Sequence, residues 1–218
     1  HEQQHQELML MDLKFILSLG CTYPSYIDTR LPKSIAKEST WESFGEGVYQ
    51  VGHDEPSFAF DNESPKHKTY IYPFQISNQL VTNGEYLRFI NEGGYLKASL
   101  WLSQGWDWVN NSKIQTPLYW RQINGEWFEY TLYGLEPLDF NRPLSHISYF
   151  EADAYASWSG GRLPTEQECE IYLATCQKVQ THGHLHPIDA SNVANELWCW
   201  TKSQYTSYPG YKTFDGMI

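Results

Sequence analysis

The chain holds 218 residues, 41% of them hydrophobic and 16% aromatic, with 9 Trp and 16 Tyr. That is enough apolar material for one large domain, or one domain and part of another, and it excludes an intrinsically disordered chain. Lys and Arg number 15 against 26 Asp and Glu, a net charge of −11 with no basic run, which argues against nucleic acid or an anionic membrane as partner. No apolar stretch approaches the ~18 residues of a transmembrane helix, and nothing resembles a signal peptide. Cys21, Cys169, Cys176 and Cys199 form no Cys-x-x-Cys pair and fit a reducing compartment, with the cytoplasm as default. The chain opens on His1 inside a helical pattern and reads as a fragment.

Residues 1–19 contain neither Pro nor an interior Gly. Leu8, Met11, Phe15 and Leu19 recur every three or four residues, as one face of an amphipathic helix would, and Gly20 ends it. Residues 21–46, with Pro24, Pro32 and scattered Ser and Lys, read as a linker. From Gly47 short aromatic runs such as 47–52 and 68–72 alternate with turn residues, a strand texture. Three capping boxes interrupt it: Thr82 with Glu85, Ser148 with Glu151, and Thr165 with Glu168. In each, a hydroxyl and a carboxylate satisfy free amides and so start a helix. The first should stop at Gly93-Gly94, the second at Gly160-Gly161, the third near Gln177. The Trp-rich segment 101–133 reads as a meander of short strands, turned at Asn124-Gly125. The fold class is α+β with much loop.

His1 and His5 are the sharpest chemical signal. At 100° per residue they lie about 40° apart, one turn over the other, and two such imidazoles can share a metal ion. The same spacing also fits a solvent-facing polar first turn. Glu7 stands about 200° from His5 and suits a supporting or structural role. His182, His184 and His186, in a Gly- and Pro-containing loop, read as surface histidines, and His53, His67 and His146 as structural or exposed.

The segments 47–54, 58–65 and 80–86, followed by Gly161-Arg162-Leu163-Pro164-Thr165-Glu166 and Asn195-Glu196-Leu197-Trp198-Cys199-Trp200-Thr201, resemble the formylglycine-generating-enzyme (sulfatase-modifying-factor) domain, a fold related to C-type lectins. Preceded by the His-x-x-x-His-x-Glu helix, they are similar to the sulfoxide synthases of ergothioneine biosynthesis. Leu100-Trp101-Leu102-Ser103, Pro117-Leu118-Tyr119-Trp120 and Tyr208-Pro209-Gly210-Tyr211 match the same subgroup. The resemblance implies three regions: residues 1–20 as the last helix of a DinB-like bundle, 21–46 as linker, and 47–218 as the sulfatase-modifying-factor-like domain.

It also implies a non-haem Fe(II) held by His1, His5 and a third histidine upstream. The implied substrates are hercynine, O2 and a thiol, γ-glutamylcysteine or cysteine. Gln4 matches a glutamine that contacts the acceptor. The active-site tyrosine of the family falls between Tyr205 and Tyr208, and both are candidates because the spacing varies among relatives. Cys169 and Cys199 stand where relatives commonly carry Trp and Glu, which reads as repacking, and no cysteine pair matches a copper site. The chain stops short of the family's later Arg-Gly-Gly-Ser motif, so it is expected to be truncated at both ends and inactive alone. Two alternatives stand beside this reading. One is an ovothiol-type synthase acting on histidine, the other a lectin-like binding module without catalysis.

Overall fold

The computed structural model describes residues 2–176 and 183–213, so His1 and His182 lie outside the described set. The first helix, α1, spans Glu2–Ser18. It is where the sequence places it, but it packs through a different stripe. Lys14 and Ser18 are buried and Leu10, Leu13 and Leu17 half-buried, whereas Leu8, Met11, Phe15 and Leu19 are all exposed. Apolar residues occur on most sides of this helix, so periodicity alone does not select the face that meets the rest of the protein.

The segment read as a linker is tied down and ends in a strand. Tyr26 and Ile27 donate their amides to Leu132 O, the Ser34 amide donates to Asp139 Oδ2, and Tyr130 Oη donates to Pro24 O. Strand β1 (Trp41–Phe44) then pairs antiparallel with β4 (Phe74–Ser77), and the Phe44 and Phe74 rings stack at 4.8 Å. A four-residue strand after a Pro- and Ser-bearing stretch leaves too short a pattern to read. Strands β2 (Gly47–Val51) and β3 (His67–Ile71) pair antiparallel with Val51 opposite His67.

Helices α2 (Asn83–Asn91), α4 (Tyr149–Trp158) and α5 (Glu166–Leu173) begin at the three capping boxes. In each, the cap hydroxyl accepts from the third helical amide while the Glu there accepts from the cap amide. Between α2 and α4 the expected all-strand meander is half corrected. Residues 103–112 form helix α3 (Ser103–Ser112) instead. It has no side-chain cap, and its Trp and Val residues imitate a strand. Tertiary packing holds it: Val109 is buried, and Gly105 lies so close to Phe150 of α4 that a Cβ there would sit 2.7 Å from that side chain. The second half is a meander, β5 (Trp120–Ile123), β6 (Glu126–Thr131) and β7 (Gly134–Pro137). The β5–β6 turn is Asn124-Gly125, with φ of 51° and 86°, the left-handed pair that a two-residue hairpin requires.

The main core lies where α2, α3 and α4 meet β5. Tyr86, Phe89, Tyr95, Trp101, Val109, Trp120, Leu138, Leu144 and Ala154 are buried together. A smaller cluster, Val51, Ile71, Phe74 and Ile171, joins the hairpin strands to α5. This is the α+β architecture expected, with small sheets and short helices.

Candidate functional site on the first helix

Helix α1 touches the domain through one stripe. Glu7 Oε1 accepts a hydrogen bond of 2.7 Å from the Trp198 indole, and Lys14 enters the domain with 5% of its surface exposed. At 100° per residue these two stand about 20° apart. Glu7 therefore has the structural role its position suggested.

Around the Lys14 ammonium, four segments converge. Its Nζ donates to His146 Nε2 at 2.8 Å and lies 4.5 Å above the Tyr119 ring. Glu129 of β6 is 2% exposed, and His186 Nε2 faces its Oε2 at 3.4 Å. Burial lowers Lys14 to about 8, offset in part by the attraction of Glu129. Burial also favours neutral His146, lowering it to about 3 with help from the Lys14 and His186 charges, so its Nε2 is free to accept. Burial alone would raise Glu129, yet His186, Lys14 and His146 together hold it at about 2, an anion throughout the working range. His186, read from sequence as a surface residue, is corrected here: its side chain is 1% exposed. The loop bearing it folds back over β6, because the Glu196 carboxylate gathers the amides of Ile188 and Asp189 and the side chain of Asn192. Only a long-range partner could have signalled this burial, and a His two residues from another His carries no such sign.

Beside the cluster, α1 and residues 183–198 enclose an open cavity of about 460 Å³, lined by Leu10, Met11, Leu185, Ile188 and Trp198 with Lys14 and His186.

Of the two expected metal ligands, the described one, His5, faces elsewhere. His5 is exposed on α1, about 180° around from Lys14. It shares its side of the helix with Leu8, Phe15, Ile16 and Leu19, all between 48% and 70% exposed. His1 lies outside the described residues. Among the described residues no three His, Cys, Asp or Glu side chains converge to hold a metal ion. Gln4 is exposed on the same helix, one residue before His5.

The two candidate tyrosines differ in what holds them. Tyr208 is buried, its hydroxyl donating to Glu170 Oε2 at 3.1 Å and its ring 4.6 Å from that of His67. Burial and the Glu170 charge push its hydroxyl well above the usual tyrosine range. Tyr205 is 89% exposed, and its oxygen accepts from Asn62 Nδ2 at 3.1 Å. Both lie in the segment that follows Trp198, the residue at α1, but their partners belong to the β2–β3 region and α5 rather than to α1. Cys169 is held by burial at about 12, the state of an unreactive packed thiol.

Residues 38–216 match the family model of the sulfatase-modifying factor enzyme 1-like domain. The hercynine oxygenase of Mycobacterium tuberculosis is 30% identical, over 97% of this chain and 56% of the relative. That of Mycolicibacterium smegmatis is 34% identical over the same shares. The formylglycine-generating enzyme of Thermomonospora curvata is 30% identical, but over only 66% of this chain and 51% of its own length. The chain thus spans little more than half the length of the hercynine oxygenases it resembles.

Proposed function

Because the chain belongs to the sulfatase-modifying factor enzyme 1-like family, we propose that the protein is a sulfoxide synthase of ergothioneine biosynthesis. It is an iron(II)- and O2-dependent enzyme that joins a cysteinyl thiol, from γ-glutamylcysteine or cysteine, to the imidazole of hercynine. The balance is one thiol, one imidazole C–H and one O2 giving one C–S bond, one sulfoxide oxygen and one water. The observation that carries this reading is the extent of the similarity. Two hercynine oxygenases align over 97% of the chain, reaching α1, which lies outside residues 38–216, whereas the formylglycine-generating enzyme aligns over 66%.

The donor chemistry of α1 fits a ferrous ion. Two imidazoles at one-turn spacing are ligands that iron accepts, and the His5 side of the helix is exposed, where a further unit would bring a third. Iron, when bound, supplies O2 activation and a common point at which thiol and acceptor meet. The chain's own residues do the rest. His1 and His5 hold the ion, and Gln4, next to His5, orients the acceptor by hydrogen bonding. Of the two tyrosines, Tyr205 is the better proton donor, since its oxygen accepts from Asn62 and its O–H remains available, whereas the Tyr208 proton is committed to Glu170. The free cysteines suit a cytoplasmic setting.

The test uses the full-length protein with both His1 and His5 replaced by Ala. Bound iron should fall to background, and sulfoxide formation from hercynine, γ-glutamylcysteine and air should cease, while the circular dichroism of the fold is retained. Unchanged iron content in that variant sinks the assignment. In the unmodified protein, turnover of histidine in place of hercynine would instead support the ovothiol-type reaction.

A further inference from the structure

His5, the described one of the two proposed ligands, stands on one side of α1 and the attachment to the domain on the other, so the direction in which its imidazole points is set by how α1 is rotated about its own axis. Hydrophobic burial does not fix that rotation. Leu10, Leu13 and Leu17 form one apolar stripe, the half-buried one, and Leu8, Met11 and Phe15 form a second that is exposed. The two stripes are alike in size and composition, and their Leu13 and Phe15 members are about 200° apart. A helix seated by leucines alone would have two rotations of comparable energy.

We propose that the buried cluster of Lys14, His146, Glu129 and His186 is a positioning device that selects one rotation of α1 and thereby aims His5, one of the two histidines assigned to the ion. This rests on the reading of those histidines as iron ligands. Lys14 is the one charged residue among the buried positions of α1, and it is flanked by Leu13 and Leu10. A leucine in its place would bury more apolar surface without desolvating a charge, so its presence works against simple stability. What the ammonium adds is direction. It hydrogen-bonds one imidazole nitrogen at 2.8 Å, sits over one ring at 4.5 Å, and is attracted by one carboxylate that is itself 2% exposed. No other residue of α1 could satisfy those three partners after a turn of about 100°, the step between neighbouring residues. The receiving groups are braced in turn: Ser145 Oγ lies 3.5 Å from Glu129 Oε1, and Tyr119 meets the His146 ring edge-on at 4.8 Å. Glu129 Oε2 and His186 Nε2 have no hydrogen-bond partner among the described residues beyond their mutual 3.4 Å contact. The second fixed point, Glu7 with Trp198, lies on the same side of the helix as Lys14.

The experiment replaces Lys14→Met in the full-length protein and reads three things. The first is the indole N–H resonance of Trp198, identified by Trp198→Phe. It reports the rotation of α1 through the Glu7 contact and needs no iron. The second is the electron paramagnetic resonance signal of the ferrous nitrosyl complex. The third is kcat and KM for hercynine. The expected result is a fold as heat-resistant as the parent's, with the Trp198 resonance doubled or lost, a broadened nitrosyl signal and kcat lower by on the order of 10–100-fold. Lys14→Arg, which keeps the charge, should retain more of the single resonance than Lys14→Met. A single, unshifted Trp198 resonance in Lys14→Met overturns the proposal. Should that variant not fold, Glu129→Gln is read in the same way, and an unchanged resonance there overturns it equally. A doubled resonance in a protein whose unmodified form holds no iron would leave the positioning device standing and remove the proposed function.

Discussion

The aromatic centre of the domain and the first helix are held in opposite ways. In the centre, Tyr86, Phe89 and Trp120 are at most 1% exposed and meet neighbouring rings from every side. Helix α1 leaves five large apolar residues 48–62% exposed, and its side-chain hydrogen bonds to the domain come from a lysine and a glutamate. Non-directional burial holds the first region. Directional polar contacts hold the second. Packing of many rings tolerates no missing member, because a dense interior cannot close over a large void. A helix attached by a few polar groups can keep its attachment while its free side meets something else.

The sharpest way to break that contrast is to remove a ring from the centre. Trp120→Ala should destabilise the domain by about 3–5 kcal/mol, read as a fall in the urea midpoint. Loss of less than about 1 kcal/mol would mean that the centre relaxes as easily as a surface.

Acid should act on the other region. Folded His146 is held at about 3 against an ordinary 6.5, so the unfolded chain takes up a proton first as pH falls below 6.5. The stabilisation present above that pH is then lost progressively toward pH 3, by about 1.4 kcal/mol for each unit. Glu129, at about 2 against 4.5, adds a second loss between pH 4.5 and 2. Lys14 works in the other direction and higher up, its desolvation cost easing as pH rises from about 8 toward 10.5. Lys14, Glu129, His186 and the Tyr119 ring are the groups that face His146. In His146→Asn, a residue that tolerates the positive φ of 58° at this position, the decline between pH 6.5 and 4.5 should flatten. An equal slope in parent and variant would place the acid sensitivity elsewhere.

The smallest effect sharpens the comparison from the exposed side of α1. Phe15, 48% exposed, replaced by Ser should alter the stability of this 218-residue chain by no more than about 0.5 kcal/mol. On the proposed function, in which a further unit covers that side, the same change in the full-length protein should cost more, about 1–3 kcal/mol. Equal effects in the two would argue that nothing packs there.

What the amino-acid order determines here is short in range. Thr82, Ser148 and Thr165 start helices because each partner lies three residues away, and Asn124-Gly125 turns a hairpin because those two residues tolerate positive φ. The one-turn spacing of His1 and His5 and the family motifs around Gly161 and Trp198 are legible for the same reason. Three things were decided only by the tertiary structure. Residues 103–112 are a helix because Gly105 admits Phe150 and Val109 reaches the core, contacts that no local cap announces. His186 is buried because the loop after Gly183 folds over Glu129, a residue more than fifty positions earlier in the chain. And α1 buries Lys14 in place of Phe15 because the imidazole, ring and carboxylate that receive the ammonium come from three distant segments; an apolar pattern records how much surface a helix can bury, and only the partners decide which side it turns to them.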